Sequence, residues 1–193
     1  MTGPGEPHLR RSFPPGVAVL VGFVLLVGNP WTYQELAVAL SDPDSAFRVL
    51  DVMLTYPRWH VDVDRVGPFL FWFANLRTVL FVLLAVAGLS RVSRWVNEAA
   101  GGVALFVATV GLTTLSASIA GLVSGMVGVV LLDAGAALPY YVPDQAEDFF
   151  LSQLGTSAMF GVLFGSVLGA VVANQRRNPA NRERPARAPK SLW

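Results

Sequence analysis

The stretch Gly101–Leu132, GGVALFVATVGLTTLSASIAGLVSGMVGVVLL, contains no charged residue. A bilayer span needs about 20 apolar residues, and a helix of this length reaches about 48 Å at ~1.5 Å per residue. The stretch therefore reads either as one helix that tilts, kinks or projects beyond the bilayer, or as two short spans joined by a turn. The choice fixes the number of crossings and the side on which the C-terminus lies.

Three other apolar runs flank it: 13–31, 67–90 (broken only by Asn75 and Arg77) and 154–173. The basic residues of the tails and of the middle connection settle the reading. Arg10 and Arg11 precede the first run, Arg91 and Arg94 separate the second from the third, and Arg176, Arg177, Arg182, Arg184, Arg187 and Lys190 follow the fourth. With four spans all of these lie on one side, which the positive-inside rule makes cytoplasmic. A fifth span would send the basic tail outside. The alternate loops, 32–66 and 133–153, are acidic: the first has six carboxylates against three arginines, and the second has no Lys or Arg. Aromatic residues sit at the same boundaries, including Trp31, Tyr33, Trp72, Trp95, Tyr140 and Tyr141, as rings that favour the headgroup level do.

The sequence thus predicts an all-α integral membrane protein. It comprises a short cytoplasmic N-terminal tail (1–12), a four-helix transmembrane domain (13–173) and a disordered basic cytoplasmic tail (174–193). Composition agrees: 53% of the residues are hydrophobic and 14% charged, against about 25% charged in soluble domains. Ala37-Val38-Ala39 resembles a signal-peptidase site and Arg10-Arg11 a twin-arginine signal. The first lies well beyond the apolar core, and Pro14, Pro15 and the later spans argue against export, so a retained signal-anchor helix is expected. An Ala/Val/Gly/Arg bias with a single lysine points to a GC-rich bacterial genome, hence an inner membrane.

Loop 32–66 is too long for a simple turn. Residues 32–40 read as a short helix, Asp42 and Pro43 open a second one running to about Tyr56, and Pro57 stops it. Trp59 to Val63 then alternates like an extended segment. The whole reads as a small helical cap on the extracytoplasmic face. On an extended segment His60, Asp62 and Asp64 share one side, a weak metal-site pattern that a solvated polar edge explains as well.

The fourth run places Ser157, Gly161, Gly165, Gly169 and Ala173 at every fourth position, and the third run carries Ala117, Gly121 and Gly125. Small residues so spaced form a stripe along which helix backbones approach closely, a glycine-zipper pattern that serves intramolecular packing or a homo-oligomeric seam. Thr113, Thr114, Ser116 and Ser118 form a polar patch that bonds to its own backbone or lines an aqueous path.

Arg77 is the one formal charge well inside an apolar run, about 15 Å deep by helical rise. Such a charge faces protein, water or a partner. Asp133, at the end of the third run on the same side, is the first candidate acceptor, with Glu147 and Asp148 behind it. The alternative is snorkelling toward the interface.

There is no cysteine, and neither histidine, His8 or His60, lies in an apolar run. Thiolate chemistry, Cys-ligated metal and bis-histidine haem are therefore excluded. No activated nucleophile, phosphate loop or ligand cluster is visible. The expectation is a non-catalytic protein without cofactor, an accessory, scaffold or regulatory subunit of a larger envelope complex. Its partners would be the lipid bilayer, other membrane subunits or itself, and anionic lipid at the basic tail, with no nucleic acid. The alternative is a small homo-oligomeric channel or transporter with Arg77 in the permeation path.

Overall fold

Within the described residues the charge-free stretch forms one unbroken helix. The computed structural model describes residues 15–32, 51–95, 101–131 and 146–177, and among these every regular element is helical. They are α1 (Pro15–Val27), α2 (Val63–Val66), α3 (Pro68–Trp95), α4 (Gly102–Leu131) and α5 (Ala146–Arg177), with short helical stretches also at 30–32 and 51–55. Three helices, α3, α4 and α5, are long and apolar enough to cross a membrane. The cap residues 33–50, Asp133 with the rest of 132–145, and the tails 1–14 and 178–193 lie outside the described residues.

Local chemistry explains the boundaries. α1 has 13 residues, about 20 Å of helix, short of the ~30 Å hydrocarbon core. The run 13–31 predicted one continuous span, but the helix stops at Gly28. Asn29 then accepts a hydrogen bond from the Trp31 N–H (3.1 Å) and Pro30 opens a new turn, the residue types that restart helices. Trp59 to Val63 is not uniformly extended. Asp62 is an N-cap whose carboxylate accepts from the Asp64 and Arg65 amides and starts α2. Gly67 ends α2 at φ +81°, a backbone that glycine adopts without strain, and Pro68 then opens α3. α3 and α5 extend past the predicted 67–90 and 154–173. Apolarity had set those limits, whereas helices continue into polar turns, α5 from Glu147 and Asp148 to Arg176 and Arg177, in the order the helix dipole favours.

The bundle runs up and down. Phe69 of α3 lies against Gly128 and Gly88 against Leu112, so α3 and α4 are antiparallel. Gly169 of α5 meets Phe106 and Gly125 of α4 meets Phe149 and Phe150, so α4 and α5 are antiparallel too. α1 packs on α3 and α5, with Gly16 beside Val172 and Phe23 stacked on Phe164 at 4.4 Å. The core centres on Leu20, Phe81, Ala85, Ala117, Phe160, Phe164 and Leu168.

α4 is more polar inside than outside. Its buried positions include Thr109, Thr113, Ser116, Ser124 and Ala120, while Val103, Val107, Leu115, Met126 and Val130 are exposed. A water-soluble helix has the opposite polarity. In lipid no hydrophobic force drives helices together, and small residues permit close contact instead. This pattern and the three long helices are consistent with a membrane location and lipid contact.

Candidate functional site: a segment inserted into the bundle

Residues 55–60 enter the bundle instead of resting on it. Tyr56 is 1% exposed. Its ring stacks on Phe160 (centroids 4.1 Å, 15°) and meets Phe81 edge-on (5.8 Å). Its hydroxyl donates to the Ala117 carbonyl at 2.6 Å, about halfway along α4, and interacts with Ser157 of α5. Pro57 behind it is fully buried.

Irregular backbone removed from water must find its hydrogen bonds within the protein. From Tyr56 to His60 every N–H is accounted for. Tyr56 N–H donates to Val52 O (3.1 Å), Pro57 has none, Arg58 N–H donates to Thr55 O (3.4 Å) and Trp59 N–H to Gly28 O (3.2 Å). His60 N–H donates to Asn75 Oδ1 (2.9 Å). Three α3 side chains serve the carbonyls. Arg77 Nη2 donates to Tyr56 O (2.9 Å) and Thr55 O (3.3 Å). Thr78 Oγ1 donates to Arg58 O (3.2 Å), and Asn75 Nδ2 to His60 O (2.9 Å). Asn75 thus binds both backbone groups of one residue, as a neighbouring strand would.

Arg77 is buried at 7% exposure. Its guanidinium carbon lies 4.6 Å from the Tyr56 centroid and 5.1 Å from that of Phe73, so two ring faces add to the two carbonyls. Nε is buried without a hydrogen-bond partner. Among the described residues no carboxylate pairs with this cation. The expected acceptor, Asp133, lies outside the described residues, the side chain of Glu147 does too, and Asp148 is exposed. The carbonyls that Arg77 holds lie at the end of the helical stretch 51–55, where a cation complements the helix dipole.

Gly28 completes the seat. A Cβ there would collide with the Pro57 carbonyl and crowd the Trp59 ring, so the break after α1 makes room for the insertion. His60, half-buried, has its pKa lowered from 6.5 by burial first and by Arg58 and Arg77 second. Asp62 caps α2, and no group of three or more potential metal ligands occurs among the described residues.

The other singled-out residues lie along the α4–α5 contact. Ser157 faces Gly121, Gly161 lies on the Thr114 backbone, and Gly165 would place a Cβ 3.0 Å from Val110 Cα. Gly169 lies on Phe106, and Gly125 meets the Phe149 and Phe150 rings. Ala117 is buried beneath Tyr56, and Ala173 lines a groove at the far end. Thr113 and Thr114 bond to the carbonyls four residues back. Gln153 donates to Ser157 Oγ (3.3 Å), adding to the buried polar contacts near the Tyr56 hydroxyl.

Chemically, this constellation holds and orients; it contains no nucleophile beside a base. Tyr56, Thr78 and Gly28 were not singled out from sequence. The available signals were a break at Gly28-Asn29-Pro30 and three polar residues within four positions of an apolar run. The chain matches no family model, no curated protein and no solved structure.

Proposed function

We propose that the chain is a non-catalytic four-span protein of a bacterial inner membrane, with both termini cytoplasmic, acting as an accessory, scaffold or regulatory subunit of a larger envelope complex. The continuation of helix at 30–32 and the arginines before α1 support the first crossing. The observation that carries the functional reading is the use made of Asn75, Arg77 and Thr78. All three hydrogen-bond to the backbone of the inserted segment. A permeation path needs such groups turned to water. Used this way, they fix residues 55–60 within the bundle, so that this part of the extracytoplasmic loop needs no ordering when a partner subunit binds, which lowers the entropic cost of association.

The test uses the full chain, tagged at its C-terminus and purified in mild detergent. The expected result is stoichiometric co-purification of another membrane protein and no ion flux from liposomes containing the chain alone. A closed ring of this chain that passes ions, with a selectivity altered by Arg77→Lys, would replace this reading by the channel.

A further inference from the structure

At the end of the bundle opposite the inserted segment, a groove of about 280 Å³ opens between the start of α4 and the end of α5, lined by Gly102, Val103, Phe106, Ala170, Ala173 and Asn174. Small residues on both helices leave the gap, and the Phe106 ring, packed on Gly169, forms part of its wall. Val103 is 70% exposed beside it. The groove is apolar for most of its length and turns polar only at Asn174. Two and three residues further along α5, about 3–4.5 Å by helical rise, come Arg176 and Arg177. Arg91 of α3 is exposed near the same end. No acidic side chain occupies the first turn of α4, and Glu98 is the one acid of the connection between α3 and α4.

We propose that this groove seats an acyl chain of a phospholipid with a net anionic headgroup, the headgroup lying at Arg176 and Arg177. The argument is the order of chemistries along α5. Apolar wall, amide and paired cations follow one another as acyl chain, ester region and phosphate do in a lipid lying along the helix. A helix pair packed without a gap would hold no chain, and a gap with no cations beyond it would not distinguish headgroup charge. Cations near a membrane surface favour anionic lipid, each by roughly five-fold. This binding site is independent of whether the bundle serves as a scaffold.

The experiment places the full-length protein in nanodiscs of equal dioleoyl phosphatidylglycerol and dioleoyl phosphatidylcholine, then releases it for native mass spectrometry of the retained lipid. The wild type should retain phosphatidylglycerol over phosphatidylcholine by roughly 25-fold. R176Q/R177Q, in the last turn of α5, should bring the ratio to about one. Ala173→Trp fills the groove and should lower total retained lipid several-fold. Val103→Gln, at an exposed position, makes the wall polar and should do the same without disturbing helix packing. Equal retention of both lipids by the wild type, an undiminished preference in R176Q/R177Q, or unchanged retention in Val103→Gln would each overturn the proposal.

Discussion

Asn75→Leu is the sharpest test of the inserted segment, because the substitution removes two hydrogen bonds while preserving side-chain size. Both bonds are 2.9 Å long and end on one residue, His60. Each buried backbone group left without a partner costs about 1–3 kcal/mol. His60 is only half-buried, so the lower half of that range applies, and the sum is about 2–4 kcal/mol. Leaving Leu in place of a desolvated amide returns part of this, on the order of 1 kcal/mol. The net loss is about 2 kcal/mol, a roughly 30-fold rise in the population of the released segment. Because the chain has no cysteine, one introduced at Leu54, which is 8% exposed, reports release directly. Labelling of Leu54→Cys by a maleimide should accelerate roughly 30-fold when Asn75→Leu is added, if opening is fast relative to labelling. Thr78→Val, which removes one bond, should accelerate it about five-fold, from a loss of ~1 kcal/mol. Labelling within two-fold of the parent in Asn75→Leu would mean that water serves the His60 backbone and that the three α3 side chains do not hold the segment.

Four further outcomes are expected. Asp133 is our proposed counter-charge for Arg77: Arg77→Leu should lower stability in detergent by about 3 kcal/mol, and adding Asp133→Leu should recover part of it, whereas additive effects would exclude the pair. Gly161→Ala should destabilise clearly in a thermal unfolding assay, since its Cβ would strike the Thr114 backbone, while Gly111→Ala, in open space, should be neutral or gain up to about 1 kcal/mol from helix propensity; equal effects would show that close approach at Gly161 does not matter. Because the folded state lowers the His60 pKa below its unfolded 6.5, the unfolded chain binds more protons there, so the unfolding temperature should fall as pH drops through about 6.5 and level off below the folded value; His60→Gln, which keeps the backbone bonds to Asn75, should remove that slope. A reporter active only in the cytoplasm should give signal when fused after Trp193 and none at Pro43, and signal at Pro43 would invert the topology.

The three long helices were legible because lipid imposes a property of sequence, a long run without charge, that no other environment requires so strictly. Their ends were less legible. α5 starts in the acidic turn at Glu147 and finishes at Arg177, and a reading based on apolarity stops short of both. Asp62 carried a usable signal, a carboxylate two and three residues before the amides it caps, which the alternation of Trp59 to Val63 obscured. Helix α1 ends inside the apolar run 13–31, at Gly28, which reads in sequence as one more small residue. Its purpose, clearance for the Pro57 carbonyl, exists only in the folded bundle.

Arg77 shows why the inserted segment was hidden. A buried cation invites a search for acids, and sequence displays acids plainly, Asp133 among them. Among the described residues the groups that Arg77 holds are the carbonyls of Thr55 and Tyr56, and carbonyls belong to every residue, so no sequence pattern marks the ones that need a donor. The same is true of Asn75, whose partner is a backbone, and of the Tyr56 hydroxyl, whose acceptor is the Ala117 carbonyl. What sequence does record is the demand side. Asn75, Arg77 and Thr78 are three strong donors within four residues of a helix otherwise built for lipid. Asn75 and Arg77 lie on different faces of an ideal helix, which argues against a common small-molecule ligand and in favour of a partner long enough to wrap the helix. A peptide segment crossing α3 from His60 to Thr55 is such a partner. Donors clustered in sequence but spread around a transmembrane helix, opposite a loop carrying a buried proline, therefore form a recognisable sign of inserted backbone, one that charge-pair reasoning alone overlooks.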